Sequence, residues 1–140
     1  MIRAVLDPGV LISAAISAKG TAAAILGAWY DGDLEIVVCP SLLAELRRAL
    51  AYPKVRRLVP ENEANALVMV IERAAITLPD PLDVPAVCRD PNDDYLFALA
   101  RQAGAVLVSG DKDILDVTDI GVRVLRPAAL ASVVHDASDG

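Results

Sequence analysis

Residues 89–115, RDPNDDYLFALARQAGAVLVSGDKDIL, change period midway, and that change decides the architecture. Asp90, Pro91 and Asp93 have the form of a helix start: an N-cap acid, proline at the first helical position, an acid in the first turn. Apolar residues recur at helical spacing as far as Gly104, after which a short Val/Leu strand stops at Ser109-Gly110-Asp111. A helix that starts acidic and a strand that ends acidic bring carboxylates together. In a parallel α/β protein they meet at the carboxyl edge of the sheet, where ligands bind.

The same alternation runs through the rest of the chain. Ile2–Leu6 reads as a buried strand that ends in a turn at Asp7-Pro8-Gly9. A helix is expected over Val10–Ile16, and a second opens at Thr21 as N-cap, with Ala24, Ile25, Ala28 and Trp29 at helical spacing. Leu34–Cys39 is a second buried strand, closed by Pro40; Ser41 then caps a helix with Leu42, Leu43, Leu46 and Leu50 in one stripe, ended by Pro53. After a loop with Lys54, Arg56 and Arg57, Ala64, Leu67, Val68 and Ile71 mark another helix, Ala75–Leu78 a short strand, and Pro79–Pro85 a connection. Beyond Asp111, the sequence predicts one helical turn at Lys112–Leu115, a last strand at Val122–Leu125 and a closing helix over Ala128–Val134. Aliphatic strands alternating with helices predict a three-layer α/β/α sandwich with a central, mainly parallel sheet. Residues 1–134 make one domain, and 135–140 read as a frayed tail.

Composition narrows the function. At 140 residues, 55% hydrophobic, the chain has material for one aliphatic core and no more. No apolar run approaches the roughly 20 residues of a membrane span, and an acid at Asp7 arrives too early for a signal peptide, so the chain reads as cytoplasmic, with no membrane contact. Cys39 and Cys88 fit no metal-ligand spacing and read as reduced thiols. A net charge of −6 argues against a broad basic surface for nucleic acid. It does not exclude a nuclease whose metal supplies the positive charge. Arg47, Arg48, Lys54, Arg56 and Arg57 form a local basic cluster, either a solvated face or a contact for RNA phosphates.

In a parallel sheet, Asp7 and Asp111 follow strands and gather at one edge, and the helices starting there add Glu45 and Asp93. Each has a simpler explanation: Asp90 as a cap, Glu45 paired with Arg47 or Arg48, and Asp111 and Asp113 as turn residues. Asp7 is the hardest to explain so, because Ser or Asn would end the strand as well. Asp93 shares a stripe with Phe97, Ala100 and Gly104, whereas Asp94 points toward Ala98 and Arg101, so Asp93 is the inward acid and Asp94 its outer neighbour. Carboxylates that close repel unless a cation compensates, and oxygen donors without His or Cys favour Mg²⁺ or Mn²⁺ over zinc. The lone His135 leaves little room for histidine acid/base chemistry.

These residues resemble a PIN domain, in particular the VapC-like toxins of bacterial toxin–antitoxin pairs. The resemblance rests on Val5-Leu6-Asp7-Pro8-Gly9-Val10-Leu11-Ile12-Ser13, on Arg89-Asp90-Pro91-Asn92-Asp93-Asp94 and on Leu107-Val108-Ser109-Gly110-Asp111-Lys112-Asp113. It implies a metal-dependent ribonuclease that cleaves single-stranded RNA, with an antitoxin as partner and a homodimer as assembly. Asp7, Glu45, Asp93 and Asp111 match the family's catalytic acids, with Asp7, Asp93 and Asp111 on the metal. Ser13, Ser109, Asp113 and Asp94 would support them, and Arg47, Arg48, Arg56 and Arg57 would contact RNA. One position departs: the family commonly has Asn two residues after the first Asp, and here it is Gly9. That departure gives weight to an alternative, a catalytically weak or inert PIN-like interaction module. A phosphatase with Asp7 as nucleophile is less well matched, since Asp7-Pro8-Gly9 lacks the second acid that such chemistry uses.

Overall fold

The computed structural model describes residues 1–118 and 120–139. Five parallel strands form the central sheet: β1 (Ile2–Leu6), β2 (Leu34–Val38), β3 (Ile76–Thr77), β4 (Val106–Val108) and β5 (Val124–Leu125). Their spatial order is β3-β2-β1-β4-β5. Ala4 faces Ile36 on one side and Val106 on the other, which sets β1 in the middle. Val5, Leu6, Val37, Val38, Leu107 and Val108 are all but inaccessible, the burial of strands covered on both faces.

The helices are α1 (Pro8–Ile16), α2 (Thr21–Tyr30), α3 (Pro40–Leu50), α4 (Pro53–Arg56), α5 (Glu61–Ala74), α6 (Asp94–Ala103), α7 (Lys112–Leu115) and α8 (Pro127–Asp139). Strands β1, β2 and β3 step outward in one direction and β4 and β5 in the other, so right-handed crossovers put the intervening helices on opposite faces. α1 packs against α2, α3 and α5, while α6 packs on β1, β2 and β4, completing the α/β/α layering. The order reverses between β1 and β4. In sheets of this kind the crevice beyond the carboxyl ends of the strands at that reversal is the binding place. The chain segments that leave it are Asp7-Pro8-Gly9 and Ser109-Gly110-Asp111.

Several local expectations are corrected. The N-cap of α2 is Gly20, with Thr21 the first helical residue. α3 begins one residue before Ser41, with Cys39 in the cap position and Pro40 at the first turn, so Ser41 is not its cap. The cap comes from far away: Asp80 Oδ1 accepts the Ser41 N–H at 2.8 Å, and that bond holds the Asp80 carboxyl below its ordinary range. Pro53 starts α4 where a loop was expected. β2 stops at Val38 and β5 is confined to Val124–Leu125. α8 runs on to Asp139, taking in most of the segment expected to fray; Gly140 lies outside the described residues. Gly104, at φ 63°, closes α6 in the left-handed conformation and lets β4 begin two residues later. Both cysteines are free. Among the described residues no single helix is long and apolar enough to cross a membrane.

Candidate active site

A cavity of about 390 Å³ opens at the β1/β4 reversal. Asp7, Glu45, Asp93 and Asp111 line it, with Ser13 on α1, and among the described residues no Lys or Arg contributes to its wall. The four acids come from four separate segments, brought together because each either follows a strand at its carboxyl end or belongs to a helix that starts there.

Asp7 is the most deeply placed, only 8% exposed. It is the N-cap of α1: Oδ1 accepts the Val10 N–H at 3.1 Å, and Oδ2 accepts the hydroxyl of the fully buried Ser109. Ser109 Oγ also accepts the Asp111 N–H at 3.0 Å, so one hydroxyl ties the end of β4 to the end of β1. Burial pushes the Asp7 carboxyl above its ordinary range, opposed by the bonds from Ser109, Val10 and Gly9 and reinforced by the charge of Asp111. Gly9 matters for this geometry, because a Cβ there would lie 3.0 Å from Asp7 Oδ1. Any side chain at this position would require the Asp7 carboxylate to give by a few tenths of an ångström.

Asp93 sits in the single 3₁₀ turn Pro91–Asp93 before α6, a turn capped by Asp90 through the Asn92 N–H at 3.0 Å. Its carboxyl is pushed up to about 6, first by burial and then by the charges of Asp90, Glu45, Asp111 and Asp7. Asp111 caps α7 by accepting the Asp113 N–H at 2.9 Å. Glu45 Oε2 accepts the Tyr95 hydroxyl at 2.5 Å, and burial together with that bond pushes the phenol upward, keeping it a donor. As placed, no group of three or more His, Cys, Asp or Glu side chains among the described residues is set to hold an ion. Most of the carboxylates are turned to hydrogen bonds of their own. The donor set is nevertheless that of a hard cation: oxygen atoms alone, with no imidazole or thiolate in the wall.

The other sequence-predicted residues separate. Asp94 is not an outer neighbour: it is 5% exposed, and its Oδ1 accepts the Val87 and Cys88 N–H groups at 3.1 and 2.8 Å. The connection before α6 folds over the start of the helix and supplies these donors. Asp113 lies 3.6 Å from Arg89 Nη1, away from the cavity, and reaches Asp111 only through its backbone. Arg47 is paired with Glu72 and Arg56 with Glu61, while Arg57 is exposed at the end of α4. Only Arg48 stands beside Glu45, in a neighbouring cavity. Glu45 pairs with neither Arg47 nor Arg48 but with Tyr95, which sequence reasoning missed. A lone tyrosine in an apolar helix gives no sign that it will reach an acid on another helix. Both thiols are pushed up, Cys39 to about 11, chiefly by burial, and stay protonated.

The parallel α/β sandwich thus gathers four carboxylates at its strand reversal, none of them in an ion pair among the described residues. Residues 3–113 match the family model described as PIN domain, and the chain belongs to that family, whose members are generally metal-dependent nucleases. It is 26% identical over 118 residues to the uncharacterized protein MJ1680 of Methanocaldococcus jannaschii, covering 84% of this chain and 76% of that protein. The fold is similar to PAE2754 from Pyrobaculum aerophilum (TM-score 0.65, 21% identity, 96% of this chain and 90% of that one). It is also similar to VapBC2 from Rickettsia felis bound to a DNA fragment from their promoter (TM-score 0.63, 12% identity, 89% and 98%). A third likeness is to FitAB bound to the IR36 DNA fragment (TM-score 0.56, 20% identity, 89% and 95%). At these identities the structural likenesses establish the fold.

Proposed function

We propose that this protein is an endoribonuclease dependent on Mg²⁺ or Mn²⁺, cleaving single-stranded RNA in the cytoplasm as the toxin of a toxin–antitoxin pair. The observation that carries this reading is the cavity wall: four carboxylates from four segments and, among the described residues, no Lys or Arg. Clustered acids destabilise a fold unless a cation offsets them, so their retention at the binding edge of the sheet fits a metal site. Membership of the PIN domain family supports the same chemistry.

In this reading Asp7, Asp93 and Asp111 would hold the ion, and Glu45 would orient a water beside it. A bound divalent ion would supply Lewis acidity toward the phosphate and lower the pKa of water. The chain supplies the placement. Ser109 and the Val10 N–H fix Asp7, and Asp7 in turn is rooted at the end of the central strand. Tyr95 holds Glu45 Oε2, which leaves Oε1 for the water. No side-chain nucleophile is required, in keeping with two protonated thiols outside the cavity.

The test is cleavage of single-stranded RNA with Mg²⁺ or Mn²⁺, compared with EDTA, Asp7→Asn and Asp93→Asn. Each is expected to abolish it, and cleavage that survives all of them overturns the proposal. Melting with added Mn²⁺ gives an independent readout: a rise that Asp93→Asn removes supports the site, and no rise at all favours the inert interaction module. For partners, the likeness to the VapBC2 and FitAB complexes supports an antitoxin. A groove of about 370 Å³ between α1, α2 and α5, with Tyr30 and Val70 on its wall, offers apolar surface to an antitoxin or to a second copy in a homodimer.

A further inference from the structure

Glu45 also lines a second cavity, of about 380 Å³, bounded by Ser41, Arg48, Tyr52, Asn92 and Tyr95. Ser41, Glu45, Arg48 and Tyr52 follow one another at spacings of four, three and four along α3 and the turn after it, so they share a face. Asn92 comes from the turn before α6, next in sequence to Asp93 of the acidic cavity. The two cavities are thus joined through Glu45 and the Asn92-Asp93 pair.

The second cavity differs in chemistry from the first. Its single carboxylate is already engaged by Tyr95, and it contains a cation. Among the described residues Arg48 has no ion pair, whereas Arg47 beside it is paired with Glu72. Tyr52 is 63% exposed, and its side chain caps no helix. A free guanidinium, an exposed aromatic ring, a hydroxyl and an amide are the groups with which proteins hold an unstacked base and its phosphate. A protein partner would be expected at apolar surface instead, and Ile16, Tyr30, Met69 and Val70 provide that on α1, α2 and α5.

The geometry points to this pocket as a nucleotide subsite for the single strand that enters the acidic cavity, with Tyr52 stacking on the base, Arg48 meeting the adjoining phosphate, and Ser41 and Asn92 facing the base edge. The inference rests on the nuclease reading and adds the residues that hold the strand beside the acidic cavity. A duplex keeps its base faces stacked inside and presents none to Tyr52, so the subsite selects an unpaired strand.

The experiment combines fluorescence anisotropy of a short labelled oligoribonucleotide, single-stranded and annealed, with steady-state cleavage of the same strand. Binding is measured on wild type and on an Asp7→Asn background across a salt titration. Tyr52→Ala is expected to weaken single-strand binding roughly 5- to 150-fold with an unchanged salt slope. It should raise KM accordingly while kcat stays within about twofold. Tyr52→Phe should keep the ring and the affinity. Arg48→Ala should make the salt slope shallower by about 0.7, the share of one phosphate contact on a single strand. Tyr52 is exposed, so melting curves should show Tyr52→Ala folded as the parent is.

Unchanged binding in Tyr52→Ala, or a duplex bound as tightly as the single strand, overturns the subsite. Cleavage that needs the acids but ignores Tyr52 rejects the subsite and leaves the nuclease standing. Single-strand binding that depends on Tyr52 in a protein that cleaves nothing does the reverse.

Discussion

The crevice between β1 and β4 and the outer flank formed by α3 and α5 treat charge in opposite ways. On the flank, Arg47 pairs with Glu72 and Arg56 with Glu61; elsewhere on the surface Arg3 pairs with Glu35 and Arg89 with Asp113. None of the ion pairs among the described residues reaches Asp7, Glu45, Asp93 or Asp111. Exposed pairs are cheap to make and contribute little, ~0–1 kcal/mol each. Carboxylates gathered and partly buried without a cation oppose folding. The flank thus pairs Arg47 and Arg56 with acids while leaving Arg48 free, whereas the four crevice acids have no cationic partner among the described residues.

The strongest way to break this contrast is to remove an acid from the crevice. Asp93→Asn is expected to lower RNA cleavage by more than about 100-fold, beyond the 10- to 100-fold typical of residues that only support a metal ligand. Initial rates at saturating Mn²⁺ measure it. Ser109→Ala should follow, at roughly 10- to 100-fold in activity or metal affinity, because its hydroxyl fixes Asp7 and accepts from Asp111. It should also lower stability by about 1–3 kcal/mol in urea titration, since a buried carboxylate oxygen loses its donor.

Stability against pH sharpens the same point. An acid whose folded-state pKa is raised holds its proton longer in the folded than in the unfolded chain, so stability falls as pH rises between the two values. For Asp93 that window runs from the ordinary aspartate value of 3.8 to about 6. In EDTA, wild type should lose melting temperature across this range, and Asp93→Asn should lose less and melt higher at pH 7. Calorimetry at pH 4 and pH 7 decides it, and a mutant less stable at both would mean that Asp93 serves mainly as a helix-turn acid. Smaller still, Tyr95→Phe should reduce cleavage by several-fold while leaving Asp7 in place, as Glu45 loses one donor. At the foot of the series, Glu35→Gln breaks the exposed pair with Arg3 and should shift stability by under ~1 kcal/mol, with cleavage unaffected.

Much of the fold was legible because burial on both faces leaves an unmistakable mark on parallel strands. Ile2–Leu6 and the strand ending at Ser109 could hardly be read otherwise. Asp7 stood out for the same reason, as an acid at the end of a buried run. Helix starts were less secure: the caps of α2 and α3 were placed one or two residues late, because a Thr or Ser beside Gly or Pro suits a cap and a first turn alike. Asp94 was misread for a different reason. Helical periodicity assigned its face to solvent, but periodicity carries no information about a loop that returns to cover the start of the helix. The partners of Glu45, Arg47 and Ser41 were likewise out of reach, since Tyr95, Glu72 and Asp80 lie 50, 25 and 39 residues away.

By itself the sequence determined the alternation of strand and helix, and with it the rule that acids after strands and at helix starts collect at one edge. That follows from local chemistry: aliphatic runs, turn residues and capping groups act over a few neighbours. Only the tertiary structure decided how those acids are held and which groups they meet. The reversal of strand order between β1 and β4 sets Asp7 beside Asp111, and the packing of α3 and α6 around the same edge brings in Glu45 and Asp93. The same packing sends Asp94 into a loop and leaves Arg48, alone of the expected basic contacts, beside the crevice. Those choices depend on the path of the whole chain, which no short stretch of residues specifies.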